Sequence, residues 1–222
     1  MHEECGIFGI FNSENESIDV AKMTYFGLYA LQHRGQESAG IAVSDGEKIL
    51  VYRDLGLVSK VFNEEKLKTL KGNCAIGHVR YSTTGNNNWE NSQPLLKEYS
   101  GGTFSLAHNG NLVNQEELIE KLKGKGSKFY SSSDSEIICN LITETKEKNI
   151  KKAIKTVFTQ LRGAFSLVIM TEDKLIGVKD SFGFHPLALG KLGDSYVFAS
   201  ETCALNLIGA EFIREVEPGE MV

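Results

Sequence analysis

Cys5-Gly6-Ile7-Phe8-Gly9-Ile10-Phe11 is the stretch whose reading decides the fold. A run this apolar, broken only by two glycines, predicts a strand buried on both faces. The cysteine at its head has an ordinary reading, since free Cys behaves as a small hydrophobe in protein cores. Its setting points elsewhere. It follows the short polar tetrapeptide Met1-His2-Glu3-Glu4, and Gly6 permits close approach to the backbone. Removal of four residues would leave an α-amine and a thiol on one residue. An α-amine titrates near ~7.7–8.0 and a thiol near ~8.5, so the amine can act as base for its own nucleophile at neutral pH. The expectation is an N-terminal nucleophile enzyme, with substrate clamps and an oxyanion hole supplied by the rest of the chain.

Composition narrows the class. The chain has 222 residues, is 41% hydrophobic and 24% charged, and carries a net charge of −5. These are the proportions of an ordinary globular domain. No stretch approaches a membrane span, and no export signal opens the chain, so the cytoplasm is the expected compartment. Without a basic stripe interleaved with aromatics, nucleic acid is not the expected partner. Cys5, Cys74, Cys139 and Cys203 are each more than sixty positions from the next. That spacing matches neither metal ligation nor a small-domain disulfide framework.

Outward from the first strand, Val20, Met23, Phe26 and Ala30 recur at helical spacing, with Asp19 as N-cap and Gly35 past the end. Residues 39–44 and 48–53 predict a hairpin across Asp45-Gly46, followed by a short helix over 63–70. Residues 74–79 predict a strand leading into Arg80-Tyr81-Ser82-Thr83-Thr84-Gly85, then a polar loop. A strand over 104–108 is expected to stop at Asn109-Gly110-Asn111, a strong turn signal. Asn114 with Glu117 predicts a capping box for a helix to Lys123. Ser131-Ser132-Ser133-Asp134 predicts the cap of a helix reaching about Lys148. A further helix around 154–161 and strands over 164–171, 174–179, 186–190 and 196–200 complete one domain, spanning 5–222, of mainly antiparallel sheets covered by helices.

Singly, the polar groups have plain explanations. Arg80 can be a surface ion pair, Asn109-Gly110 a turn, Asp134 a helix cap, and His33-Arg34-Gly35 the close of a helix. Together they meet one chemical demand. Hydrolysing the side-chain amide of a free amino acid needs a nucleophile, donors for the oxyanion, a cation for the α-carboxylate and an anion for the α-ammonium. Arg80 offers a planar fork for a carboxylate. Asp134 offers a carboxylate at a helix start, and Asn109 with Gly110 offers a side-chain and a backbone donor.

The stretches C-G-I-F-G-I, L-Q-H-R-G-Q-E-S-A-G, G-L-V, G-H-V-R-Y-S-T, A-H-N-G-N-L and S-S-D-S-E make the whole chain resemble the class II glutamine amidotransferase domain. Within that family it looks most like the glutaminase half of the amidophosphoribosyltransferases, which open purine synthesis. The resemblance implies an α+β fold, the four-layer αββα sandwich of N-terminal nucleophile hydrolases. It implies that Cys5, exposed by loss of residues 1–4 as a propeptide, attacks glutamine and forms a γ-glutamyl thioester. Asn109 and Gly110 would form the oxyanion hole, Arg80 and Asp134 would hold the glutamine carboxylate and ammonium, Thr83 would line the pocket and Arg34 would support the nucleophile. The ammonia would pass to a phosphoribosyltransferase half, giving phosphoribosylamine. No cofactor is implied for this chain; Mg2+, and the iron–sulfur cluster of some members, would belong to that other half.

The chain departs from the pattern in places. It reaches Glu217-Pro218-Gly219-Glu220 where the other half would begin, with no acidic pair and phosphate loop. It has His185-Pro186-Leu187 for the usual Arg-Pro-Leu, and Ser200-Glu201-Thr202 for Ser-Glu-Ser. These leave open an excised domain, a stand-alone relative serving another acceptor or synthase partner, an assembly of several copies, and an unprocessed glutamine-binding module without turnover. Glucosamine-6-phosphate synthase, asparagine synthetase and glutamate synthase are competing branches; Arg80-Tyr81 and Thr84-Gly85 differ from the first. An acylase of other amides fits Arg80 plus Asp134 less well.

Overall fold

The structure is a computed structural model and describes residues 5–13, 18–81 and 88–222. The proposed propeptide (residues 1–4) and Thr83 lie outside the described residues. The first half runs β1 (Gly6–Phe11), α1 (Val20–Ala30), β2 (Ser38–Ser44), β3 (Ile49–Leu55), α2 (Val58–Val61), α3 (Glu64–Thr69), β4 (Cys74–Arg80), β5 (Leu95–Tyr99) and β6 (Gly102–Leu112). The second half runs α4 (Gln115–Gly124), α5 (Asp134–Glu144), α6 (Ile150–Phe158), β7 (Gly163–Thr171), β8 (Leu175–Lys179), β9 (Ala188–Leu192), β10 (Ser195–Ala199), α7 (Thr202–Ile208) and β11 (Glu211–Glu215).

Two antiparallel sheets stack face to face. One has the order β11-β9-β10-β1-β4-β2-β3, the other β5-β6-β7-β8. The period-two alternation of β1 explains its burial. Phe8 and Ile10 face α1 and α7, packing with Leu28, Leu31, Ala204 and Leu205. Ile7 faces the other way, into the layer between the sheets with Ile76, Ala107, Val168 and Met170. Behind the second sheet, Phe104, Leu106 and Phe165 pack on Leu118, Leu122, Ile138 and Ile154 of α4, α5 and α6. The result is four layers, helix–sheet–sheet–helix. Gly27 is needed where α1 crosses β1, because a Cβ there would lie 2.3 Å from the Phe8 ring. Among the described residues no helix is long and apolar enough to cross a membrane.

Much of the predicted order stands: Asp19 caps α1 by accepting from Lys22 N–H at 3.0 Å, and β2 and β3 pair across Asp45-Gly46. Three expectations are corrected. Asn109-Gly110-Asn111 is not a turn, for β6 continues to Leu112, with Asn109 opposite Ser166 and Gly110 opposite Phe165. A partner strand overrides the local turn preference, and Gly110 tolerates the φ of +142° that the crossing demands; a Cβ would sit 2.2 Å from the Ala164 carbonyl oxygen. Asn114 makes no capping box. Its Oδ1 accepts from Arg162 N–H and its Nδ2 donates to the Gln160 carbonyl, tying α4 to the start of β7. Asp134 is the first residue of α5 rather than its cap, Ser133 taking that place, and α5 ends at Glu144. The strands β5 and β11 and the helices α2 and α7 had no clear sequence signal.

Candidate active site

The antiparallel register puts Gly6 opposite Val79, so Cys5 emerges beside the end of β4. Its thiol donates to the Tyr81 carbonyl at 3.6 Å and accepts from the Tyr81 N–H at 3.5 Å. Burial pushes the thiol's pKa up, and it stays raised although the Tyr81 backbone, Arg80 and Arg34 all work to lower it; Asp134 adds to the rise. A thiol held neutral in this way needs a base before it can attack.

Arg80, at the last position of β4, is largely enclosed and pairs through Nη1 with Glu37 Oε2 at 3.0 Å. The Glu37 N–H also donates to the Arg80 carbonyl at 3.1 Å, so the two segments are locked together. A single nitrogen carries the pair, which leaves guanidinium donors to engage a second carboxylate.

Asp134 is placed by the serine-rich turn before α5. Glu136 reaches back to accept from the N–H groups of Tyr130 (3.0 Å) and Ser131 (2.7 Å), fixing that turn. One Asp134 oxygen accepts from Leu112 N–H at 3.0 Å, and the other lies 3.3 Å from His108 Nδ1. Burial acts to raise its pKa, but the His108 imidazole and the N–H groups of Leu112 and Ser135 outweigh it and hold the carboxyl below its usual range. It is therefore an anion at neutral pH.

These groups line one polar cavity of about 230 Å³, whose walls include Cys5, Arg80, Tyr81, Gln93, His108, Gly110, Ser133 and Asp134. Four residues singled out by sequence, Cys5, Arg80, Gly110 and Asp134, thus meet there. Asn109 does not line it and is wholly buried. Neither of its side-chain polar atoms has a hydrogen-bond partner. Ala107 packs in the layer between the sheets, so period-two alternation turns Asn109 toward that layer as well. Ile7, two positions after Cys5, faces it from the other sheet. Arg34 lies on the other side of the nucleophile, donating from Nε to the Cys5 carbonyl at 3.0 Å.

Sequence reading missed His108, Gln93 and Glu37. Gln93 Oε1 accepts from the His108 N–H at 2.8 Å, and the His108 carbonyl is 3.0 Å from Nε2 of the fully buried His78. The only available signal was their place inside or beside the quoted motifs. Among the described residues no group of three His, Cys, Asp or Glu could hold a metal ion, and all four cysteines are free, Cys74 and Cys139 buried.

A family model described as a glutamine amidotransferase domain matches residues 78–207. The chain belongs to that family. It is 47% identical over its whole length to the amidophosphoribosyltransferase of Bacillus subtilis, covering 46% of that protein. It is 50% identical to that of Methanothermobacter thermautotrophicus, again over the whole chain and 47% of the relative. The chain thus spans about half the length of the curated relatives it matches. The solved glutamine phosphoribosylpyrophosphate amidotransferase from B. subtilis, complexed with ADP and GMP, superposes with a TM-score of 0.90 at 47% identity, over 98% of this chain and 46% of that one. The four-layer architecture is accordingly that of the N-terminal nucleophile hydrolases, as the motifs implied.

Proposed function

We propose that this domain hydrolyses glutamine to glutamate and ammonia, with Cys5 as nucleophile. The observation that carries the reading is the convergence of Cys5, Arg80 and Asp134 on one polar cavity. A cation and an anion flanking a thiol match the two α-groups of a free amino acid and its reactive side-chain amide.

In this mechanism residues 1–4 are removed as a propeptide and the Cys5 α-amine takes the thiol proton. The sulfur attacks the amide carbon while Arg80 holds the α-carboxylate and Asp134 the α-ammonium. The oxyanion receives a hydrogen bond from the Gly110 N–H, which lies on the cavity wall, and a second from Asn109 Nδ2 once that buried amide is reached from the cavity by the bound substrate. The protonated amine returns its proton to the departing nitrogen, and ammonia leaves. Water then cleaves the γ-glutamyl thioester, restoring the thiol. The family resemblance assigns Thr83, outside the described residues, to the substrate pocket, and Arg34 supports the nucleophile through the Cys5 carbonyl.

Within a longer polypeptide or a complex, the ammonia would pass to a phosphoribosyltransferase half acting on phosphoribosyl pyrophosphate, in the cytoplasm. Any Mg2+ or iron–sulfur cluster belongs to that half. The resemblance to amidophosphoribosyltransferases along the whole chain supports this assignment. The test is glutamate release by wild type and Cys5→Ala, alongside the intact mass of each. Activity confined to wild type molecules that lack residues 1–4 is the expected result. Equal glutamate release by the two proteins overturns the nucleophile, and full activity with residues 1–4 attached overturns the terminal-amine base.

A further inference from the structure

We propose that Glu201 is a positioning residue for the nucleophile, anchoring the Arg34 guanidinium that in turn grips the main-chain carbonyl of Cys5. The inference rests on the assignment of Cys5 above and adds a group that acts at second hand.

The first observation is a helix cap forgone. Glu201 occupies the N-cap position of α7, with φ −139° and ψ 150°, yet its side chain accepts from none of the helix's N–H groups, taking from α7 only the weak Cys203 thiol bond to Oε2 at 3.7 Å. Side chains that cap a helix from this position accept from its first free N–H groups, as Asp, Asn, Ser and Thr do. Here Oε1 accepts from Arg34 Nη1, and Oε2 lies 3.1 Å from His33 Nε2. Nδ1 of His33 is in turn 3.1 Å from the Ala30 carbonyl at the end of α1. The carboxylate is thereby fixed between α7 and the His33-Arg34 segment that follows α1, with its two nitrogen partners off its own helix.

The second observation is what Arg34 does with this support. Only 11% of its side chain is exposed, and its Nε donates to the Cys5 carbonyl at 3.0 Å. The adjacent Ser200 grips the same strand two residues on, its Oγ accepting from Ile7 N–H at 2.9 Å and its N–H donating to the Ile7 carbonyl at 3.0 Å. Ser200 and Glu201 thus hold Cys5-Gly6-Ile7 at both ends.

The need for such a hold follows from the ladder. Pairing of β1 with β4 begins at Gly6, so Cys5 lies outside it. Once residues 1–4 are gone, Cys5 is a chain end whose planar peptide unit can swing about the N–Cα bond of Gly6. Fixing its carbonyl stops that swing and so sets the point from which the α-amine and the thiol project, the Tyr81 backbone holding the thiol itself. An arginine reaches the carbonyl on a long flexible stem, and its fork keeps one geometry only when a carboxylate holds the far side.

The experiment is steady-state glutamine hydrolysis by the 222-residue chain and its variants. Glu201→Ala should lower kcat about 10- to 100-fold, the scale of a small misplacement of a reacting group, with KM changed less than about twofold. Glu201→Gln keeps an acceptor for Arg34 and should recover kcat to within about fivefold of wild type. Arg34→Ala/Glu201→Ala should be no slower than Arg34→Ala, because both residues act on one contact. If Glu201→Ala does not fold, Glu201→Asp, one methylene too short to reach Arg34, takes its place and must be slower than Glu201→Gln. Wild-type kcat in Glu201→Ala, an effect on KM alone, or losses that multiply in the double variant would each overturn the proposal. A Cys5→Ala variant as active as wild type would instead overturn the nucleophile assignment beneath it.

Discussion

Asn109→Leu should make the protein more stable and nearly inactive. Asn109 is fully buried, and both Oδ1 and Nδ2 lack partners. Leaving a buried polar atom unsatisfied costs about 1–3 kcal/mol. Leucine has the same branching at Cγ, so it replaces the amide with two methyl groups and opens no cavity. Allowing one atom's cost for imperfect fit, the net gain is about 2 kcal/mol. In a domain of this size that raises the melting temperature by about 4–8 °C. The same change removes a donor proposed for the oxyanion, which should lower kcat by about 10²–10³-fold. The assay is a calorimetric melt paired with glutamate release at saturating glutamine. A melting temperature below that of wild type would show that the amide is satisfied in solution. Undiminished kcat would show that it does not face the reacting carbonyl. Either result breaks the argument that this orphaned amide is held in reserve for catalysis.

Two further outcomes follow from the same site and its surroundings. Asp134→Asn removes the anion opposite Arg80 and should raise KM for glutamine at least about tenfold, with the melting temperature within a few degrees of wild type; a large thermal loss with unchanged KM would make Asp134 a structural residue instead. Burial chiefly, with the neighbouring His108 and Arg80 charges adding to it and its hydrogen bond to the His108 backbone opposing, lowers the pKa of His78 from 6.5 to about 3. The unfolded chain therefore binds a proton that the native state refuses between those values, so this residue's contribution is intact above pH 6.5 and falls by about 1.4 kcal/mol per unit as pH drops toward 3. His78→Gln should flatten the acid limb of a melting-temperature profile from pH 4 to 7, and an unchanged slope would count against a buried neutral imidazole.

Local sequence was sufficient for a good deal of this protein. The alternation within Cys5-Gly6-Ile7-Phe8-Gly9-Ile10-Phe11 specified a strand covered on both faces, because period two sends Phe8 and Ile10 to one layer and Ile7 to the other. Helix α1 and its Asp19 cap were equally legible, since a cap depends on residues three apart in the chain. The residue types at Cys5, Arg80, Gly110 and Asp134 also stated their chemistry before their positions were known. Tertiary structure decided the rest. Asn109-Gly110-Asn111 carries every local mark of a turn, and only the presence of β7 alongside keeps it extended. Asn114 gave up its cap for contacts 46 and 48 positions away, a choice no window of sequence can display. The links from His108 to Asp134 and from Glu201 through Arg34 to Cys5 join residues 26, 167 and 29 positions apart. Such pairs leave no periodicity, because a hydrogen bond selects partners by their place in space, and that place exists only once the two sheets have stacked.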